Sequence, residues 1–169
     1  MAFNVRIVSA KMIERTRKSI YTRGKHVIKL LQWQNKHMRK IFLQEEQNMI
    51  NRLHLAMIEL YRGDAKRIQH FCKVHSYAKL IGESEKLDRE QLFILETAAL
   101  THDIGIHICE EKYGDCNGKL QEKEGPAIAE KLLKELGFPE NVSERVQYLI
   151  AHHHTYNEID GMDYQILVE

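Results

Sequence analysis

ETAALTHDIG, residues 96–105, is the most informative stretch of this chain, because an apolar run rich in small residues leads directly into adjacent histidine and aspartate. Neighbours on a continuing α-helix point about 100° apart, so His102 and Asp103 could not share one face of it. They can converge on one ion where the helix ends, and Gly105 is expected to supply that end. His70 precedes the pair by 32 positions, and three histidines at 152–154 begin 50 positions after it. Imidazoles and a carboxylate gathered in this way can hold a metal ion.

The composition predicts an all-α protein. Of the 169 residues, 43% are hydrophobic and 29% are charged, which is ordinary for a globular domain with a sizeable core. Two prolines and nine glycines, beside abundant Leu, Glu, Lys, Gln and Ala, favour helices almost throughout. We expect a basic N-terminal helical extension over residues 1–62 and a helical domain over residues 63–169.

The charges are unevenly distributed along the chain. Residues 1–46 carry eleven Lys or Arg against three Glu, whereas the remainder carries fourteen against twenty-one acidic residues. Such a basic arm could meet nucleic acid, an anionic membrane surface, or the acidic body of its own or a neighbouring domain. The arm shows no recognisable nucleic-acid motif, so a solvated basic helix is the preferred interpretation. A long apolar and basic helix is also compatible with a homodimer.

The cysteines and the apolar runs indicate the compartment. Cys72, Cys109 and Cys116 form no CxxC pair, so we expect free thiols, as in a reducing cytosol. Charged residues interrupt the longest apolar runs well before the roughly 20 residues that a membrane span needs. The N-terminus also lacks a signal-peptide pattern. These features predict a soluble cytoplasmic protein without a membrane partner.

Local signals place several helix ends. Asp64 and Asp88 each stand where an aspartate could cap a helix that begins at the next residue. Residues 104–124 contain several glycines and many charges, which predicts a loop-rich connection. Pro126 and Gly137 are then expected to bracket a helix of about eleven residues.

Four segments, taken in order, resemble the HD superfamily of metal-dependent phosphohydrolases. The resemblance runs over residues 63–169 and implies an HD-domain-like helical bundle. The segments are GDAKRIQHFCKVHSYAKLIGE (63–83), ETAALTHDIG (96–105), EGPAIAEKLLKELG (124–137) and LIAHHHTYNEIDGMDYQILVE (149–169).

The resemblance implies a set of metal ligands. His70 resembles the first ligand of the family, and His102 with Asp103 resembles the doublet that gives the family its name. In that family a further aspartate, commonly in an Ala-Asp pair on the last core helix, completes the site. This chain reaches QILVE where that helix would continue, so this ligand is not among residues 1–169. Three ligands could hold an ion weakly, water, Glu169 or a nearby side chain could substitute, or the site could be empty.

Two departures from the family pattern concern the substrate side of the site. Many members read HDIGK, whereas Ile106 stands here in place of the lysine, so Arg67, Lys73 or Lys119 would have to supply a phosphate-facing cation. Some dinuclear members carry a histidine where Gln121 stands in this chain. A mononuclear site is therefore expected.

The resemblance also implies catalytic roles. Three consecutive histidines cannot all face one cleft, and in resembling enzymes histidines at this place line the pocket or bind a second metal. We expect His153 or His154 to face the substrate, with surface capping by the whole run as the alternative. Asp103 would have two possible tasks, ligation and general-base help to the attacking water. Asp160 and Asp163 precede the helix that carries the family ligand, and neither is assigned that role.

The predicted function is that of a metal-dependent phosphohydrolase that acts on a nucleotide or another small phosphoester through metal-activated water. Mixed histidine and aspartate ligation suits Fe, Mn, Zn, Co or Ni. The alternative is a non-catalytic HD-type module that binds a nucleotide or a protein partner. A third hypothesis is nucleic-acid binding through residues 1–46, which should depend strongly on salt.

Overall fold

The computed structural model describes the backbone of residues 2–168 and the side chains of residues 29–168. Over residues 2–168 the chain forms seven helices and no strand, which confirms the all-α prediction. The helices are α1 (Ala2–Leu60), α2 (Ala65–Ser84), α3 (Arg89–Thr101), α4 (Ile106–Tyr113), α5 (Gly118–Glu135), α6 (Glu140–Ile150) and α7 (Met162–Val168).

The chain divides into two compact units, residues 1–45 and 46–169. The boundary predicted between residues 62 and 63 stays a prediction about where the basic extension gives way to the HD-like segment. The last part of α1 belongs to the second unit and contributes one face to its core. The core residues on this face recur at helical spacing. They are Ile50, Leu53 and Met57, and the buried Tyr61 follows directly after the helix.

Helix α3 is the central helix of the second unit. Every residue from Phe93 to Thr101 is buried, so the helix has no solvent-facing side over this stretch. Its two buried threonines satisfy their hydroxyls locally, since Thr97 donates to the Phe93 carbonyl and Thr101 donates to the Thr97 carbonyl. A helix that is apolar all round belongs in the middle of a bundle. Its C-terminal end therefore delivers residues 102 and 103 into the interior.

One stretch, Arg89–Tyr113, is long and apolar enough to pass as a membrane span. Of its apolar window, 78% is buried inside the protein, as is usual for the core helix of a soluble domain. The apolarity of this stretch is thus explained by packing against the surrounding helices.

The expected role of Gly105 needs correction. Gly105 has φ −76°, so the chain does not use its left-handed freedom at this point. A Cβ there would lie 3.0 Å from the backbone nitrogen of Gly125, which is rigid backbone at the crossing with α5. Gly125 in turn packs against Ile150, whose methyl group would lie 2.8 Å from an added Cβ. Glycine is needed here for close approach between the α3–α4 turn, α5 and α6.

The loop predicted over residues 104–124 is also wrong, because α4 and the start of α5 occupy most of it. Helix α4 is only eight residues long and no side chain caps its start, so the sequence signal was weak. Asn117 accepts a hydrogen bond from the Leu120 amide and begins α5 well before Pro126. Pro126 consequently lies inside α5 and not in its first turn.

The caps predicted at the starts of α2 and α3 are confirmed. Asp64 accepts from the Arg67 amide at 3.0 Å, and Asp88 accepts from the Gln91 amide at 2.9 Å. The Gln91 side chain also accepts from the Asp88 amide, which completes a capping box. Gly137, expected just beyond α5, adopts φ +77°, as predicted for a helix-ending glycine.

Glu96 is a charged residue buried within α3, and it ties this helix to α2. Its carboxylate accepts from His75 Nε2 at 2.9 Å and from Lys79 Nζ at 2.8 Å. Burial acts to raise the pKa of Glu96, but the bonds from His75 and Lys79 outweigh it and hold the pKa below the ordinary value. The carboxylate is therefore charged at neutral pH and fully paired.

We expect Glu96→Gln to lower the free energy of unfolding at neutral pH by about 1–3 kcal/mol, because a buried charged acceptor is lost while its donors remain. A carboxyl group with a lowered folded-state pKa stabilises fully above its unfolded pKa, and this contribution disappears as the pH falls through the folded value. The variant should accordingly lose less stability than the wild type on acidification below about pH 4.5. Urea unfolding at several pH values measures both effects.

The matched control is Glu83→Gln, an exposed glutamate on α2. It should change neither the midpoint of unfolding nor its acid dependence by a comparable amount. Equal effects of the two substitutions would contradict a specific role for Glu96.

Candidate metal centre

Three parts of the second unit bring their polar side chains to one place. Helix α2 contributes His70 from its middle, and the turn after α3 contributes His102 and Asp103. The turn after α6 contributes His153 and His154. The last carbonyls of a helix have no partner within the helix, and the chain changes direction there. Side chains at helix ends that are far apart in sequence can therefore converge on one place.

His70, His102 and Asp103 form a tight triangle of ligand atoms. His70 Nε2 lies 3.1 Å from His102 Nε2, and each of these nitrogens lies 3.3 Å from Asp103 Oδ2. Ligands at about 2.1 Å from one first-row divalent ion are separated by roughly 3.0–3.4 Å, in octahedral or tetrahedral arrangement. The three atoms therefore fit a shared ion.

The tautomer of His102 suits this role. Its Nδ1 lies 2.9 Å from the Ala99 carbonyl oxygen, and because a carbonyl only accepts, Nδ1 carries the hydrogen. In the neutral ring Nε2 then bears a lone pair, and this atom is the one that faces His70 and Asp103. A backbone bond to the second ring nitrogen is the usual means by which a metal-binding imidazole is oriented.

His153 repeats the arrangement on the other side of Asp103. Its Nδ1 donates to the Ile150 carbonyl at 2.6 Å, and its Nε2 lies 3.7 Å from Asp103 Oδ1. This Nε2 is buried and has no hydrogen-bond partner among the described residues. A buried polar atom without a partner is costly, which indicates that a bound ion, water or substrate group belongs beside it.

The Asp103 carboxylate lies between the histidines, with Oδ2 towards one set and Oδ1 towards the other. Burial acts to raise its pKa, but the adjacent imidazoles of His102 and His153 outweigh burial and hold the pKa well below the ordinary range. The group is ionised at neutral pH, as a ligand must be.

Tyr61 fixes the backbone of the turn that carries Asp103. Its hydroxyl donates to the Asp103 carbonyl at 2.7 Å. Burial, followed by the charge of the nearby Asp103 side chain, raises the pKa of Tyr61, so the hydroxyl stays protonated and able to donate. The sequence analysis missed this residue, which no motif distinguishes from an ordinary core tyrosine.

His154 lies at the edge of the cluster, and its ring rests against the backbone of Gly118. An added Cβ at Gly118 would lie 2.6 Å from the ring, so only glycine admits it. Its Nε2 lies 3.5 Å from Gln121 Oε1, and burial, then the neighbouring His153, lowers the pKa of His154. A second group of three atoms, from Asp103, His153 and His154, is compact enough to hold an ion.

A cavity of about 350 Å³ opens directly onto the triangle. Its cations are Lys66 and Arg67, and the latter is held by Asp64 at 2.8 Å and by Glu110 at 2.5 Å. The lining residues are Asp64, Lys66, Arg67, His70 and Asp103.

Of the three cations that the sequence suggested for the phosphate side, only Arg67 lines this cavity; Lys73 and Lys119 do not. Lys66 was missed. Its position four residues before His70, one helical turn away, was a signal that could have found it.

The predicted site residues are thus brought together as two overlapping groups, both containing Asp103. The aspartates that were not assigned as ligands face elsewhere, since Asp160 and Asp163 both pair with Arg145 at 2.8 Å. Glu169, a suggested stand-in for the last ligand, lies outside the described residues. The assignments of individual roles remain predictions.

Comparison with models of known protein families shows which family the chain belongs to. The model of the HD domain family matches residues 67–167, which is 101 of the 169 residues. No curated protein and no solved structure matches the chain. The matched segment contains the His70, His102 and Asp103 triangle and both histidines of the second group, on an all-α bundle. The chain therefore belongs to the HD domain family.

Proposed function

We propose that this protein is a metal-dependent phosphohydrolase that acts on a nucleotide or another small phosphoester. The observation that carries the proposal is the triangle of His70 Nε2, His102 Nε2 and Asp103 Oδ2, with all separations between 3.1 and 3.3 Å. Two neutral imidazoles and one carboxylate suit Fe, Mn, Zn, Co or Ni better than calcium or magnesium. A divalent ion held there would lower the pKa of water and withdraw charge from a phosphoryl oxygen.

The side chains around the triangle suit the remaining tasks of hydrolysis. Asp103 Oδ1 is the oxygen turned away from the triangle, so it is placed to accept a proton from an attacking water. The unpartnered His153 Nε2 is placed to receive a hydrogen bond from water or to bind the substrate. His153 Nε2 is buried and the Asp103 side chain is only 20% exposed, and in such surroundings a fixed polar group acts more strongly than in bulk water.

The cavity supports a small anionic substrate. At about 350 Å³ it lies near the lower end of the range for small-molecule pockets, so it fits a phosphate group with a compact substituent. Lys66 presents a compact charge suited to a phosphate oxygen. Arg67 is clamped by Asp64 and Glu110, which fixes its guanidinium at the wall of the cavity.

The first test is metal content. Protein purified without a histidine tag and analysed by elemental mass spectrometry should contain close to one equivalent of a first-row transition metal. His102→Ala and Asp103→Ala should each lose most of it, since two ligands hold such an ion far more weakly than three.

His152→Ala is the matched control for metal binding, because this neighbouring imidazole donates to the Tyr148 carbonyl and lies outside both groups. It should retain the metal. Absence of metal from wild type and variants alike, even after reconstitution, would contradict a metal centre here.

The second test is turnover. With the reconstituted metal, the wild type should release phosphate from at least one member of a panel of nucleotides, sugar phosphates and phosphodiesters. Asp103→Asn should reduce kcat by at least about a hundredfold, because it loses both a charged ligand and a proton acceptor. His152→Ala should remain within about twofold of wild type, as expected of a surface substitution. Ligand binding without turnover across all metals would instead favour a non-catalytic binding module.

A third test concerns the cavity wall. Lys66→Ala should raise KM by about three- to tenfold with little change in kcat, because a solvent-exposed cation aids substrate binding in ground and transition states alike. Lys73→Ala is the control, since Lys73 is exposed on the same helix but does not line the cavity. If both variants raised KM equally, the effect would be one of overall charge and not of this cavity.

A further inference from the structure

The first described side chains of α1 expose a run of large apolar groups. Leu30, Leu31, Met38 and Ile41 are 49%, 54%, 48% and 40% exposed. At about 100° per residue, these four positions fall within an arc of roughly 100° on one side of the helix. Within residues 29–44 the helix therefore presents an apolar stripe to its surroundings, which Gln34 interrupts and Glu45 ends.

The opposite side of the same segment is cationic. Lys29, Lys36, Arg39 and Lys40 fall within a second arc of roughly 100°, centred opposite the apolar stripe. No Asp or Glu occurs from residue 29 to residue 44. The cations and most of the exposed apolar groups thus lie on different sides of the helix, with Leu43 as the exception, and residues 29–44 contain no acidic side chain to neutralise the cations.

Trp33 stands at the border between the two arcs. It is 63% exposed, and its ring stacks on His37 with centroids 5.2 Å apart and planes 7° from parallel. An indole at the edge of an apolar face is typical of a helix that lies at a membrane interface.

We propose that residues 29–44 form a surface-seeking helix that binds the anionic face of a lipid bilayer. The apolar stripe would enter the boundary between headgroups and acyl chains, and the lysines and arginine would meet the lipid phosphates. This interaction is separate from the proposed hydrolysis and does not depend on it. It replaces the expectation of no membrane partner, which was based on the lack of a membrane span, because a helix that lies on the bilayer surface needs no span.

A lipid surface would contact both the apolar stripe and the cations. Nucleic acid or a second copy of the chain would contact only one of the two. Nucleic acid would engage the cations and leave the apolar stripe in water. A coiled coil between two copies, with Leu31, Met38 and Ile41 in the seam, would bury the apolar stripe and leave the cations in water. Residues 1–46 carry eleven basic against three acidic residues, so two such segments side by side would repel each other.

Vesicle sedimentation of the full-length, untagged protein tests the proposal. The protein should pellet with vesicles of phosphatidylcholine and phosphatidylglycerol, and much less with phosphatidylcholine alone. Raising the sodium chloride concentration should weaken the binding, because screening reduces attraction between exposed charges.

Two substitutions test whether vesicle binding depends on the apolar stripe itself or only on the overall hydrophobicity of the helix. Leu31 and Leu43 are both 54% exposed, but Leu43 lies about 120° further round the helix, among the cations. Leu31→Glu should lower the bound fraction about tenfold, since it places a charge in the face that enters the membrane. Leu43→Glu makes the same chemical change on the polar side and should lower it by no more than about twofold. Circular dichroism and metal content would show that both variants keep the folded second unit.

Three results would overturn the proposal. The first is failure of the wild type to sediment with anionic vesicles, whether or not it binds nucleic acid. The second is an equal loss of binding in Leu31→Glu and Leu43→Glu. The third is light scattering that shows a wild-type dimer converted to a monomer by Leu31→Glu, without vesicle binding by either protein, which would assign the stripe to a second copy of the chain.

Discussion

The candidate metal centre depends on the unpaired carbonyls that remain where an α-helix ends. At the end of α3 the Ala99 carbonyl accepts from His102, and at the end of α6 the Ile150 carbonyl accepts from His153. Each bond places the hydrogen on Nδ1 and leaves the Nε2 lone pair aimed at Asp103. A hydrogen bond from Nδ1 to a carbonyl at the helix end thus gives that carbonyl a partner, selects the tautomer of the histidine and directs its Nε2 towards the site. The α3–α4 turn and α6 both pack closely on α5, since a Cβ at Gly105 would lie 3.0 Å from the Gly125 backbone and a Cβ at Gly125 would lie 2.8 Å from an Ile150 methyl group.

Much of this could be predicted from the sequence, because the relevant signals are local. The all-α class followed from composition, and the caps at Asp64 and Asp88 followed from a single residue type before a helical pattern. The grouping of His70, His102 and Asp103 followed from the family pattern and agrees with the distances. The structure agrees with these predictions because each is based on composition, on a single capping residue or on a family motif, and none requires knowledge of how distant segments pack.

What the sequence could not give depends on packing between distant segments. The reason for Gly105 is a contact with Gly125, twenty residues later, and a helix-end rule misassigned it as a stop. The short helix α4 is stabilised by burying Ile106 and Cys109, and its eight charged and apolar residues carry little periodic signal. The unpartnered Nε2 of His153 is a property of the folded interior, since no pattern of residue types shows which of three consecutive histidines is buried.

The charges of the site explain why it would attract a phosphate only when it holds a cation. The ionised Asp103 by itself repels an anion, and Arg67 is already compensated by Asp64 and Glu110. His70 and His102 contribute no charge while neutral, so a divalent ion with one carboxylate ligand leaves a net charge of about +1 at the triangle. Lys66 adds a second positive group at the wall of the same cavity. In the proposed hydrolase, affinity for a phosphoester would therefore be coupled to occupation of the triangle, because the side chains alone provide too little positive charge. Binding of the ion and binding of the substrate should then reinforce each other, as linkage requires of any two ligands that interact favourably in one site.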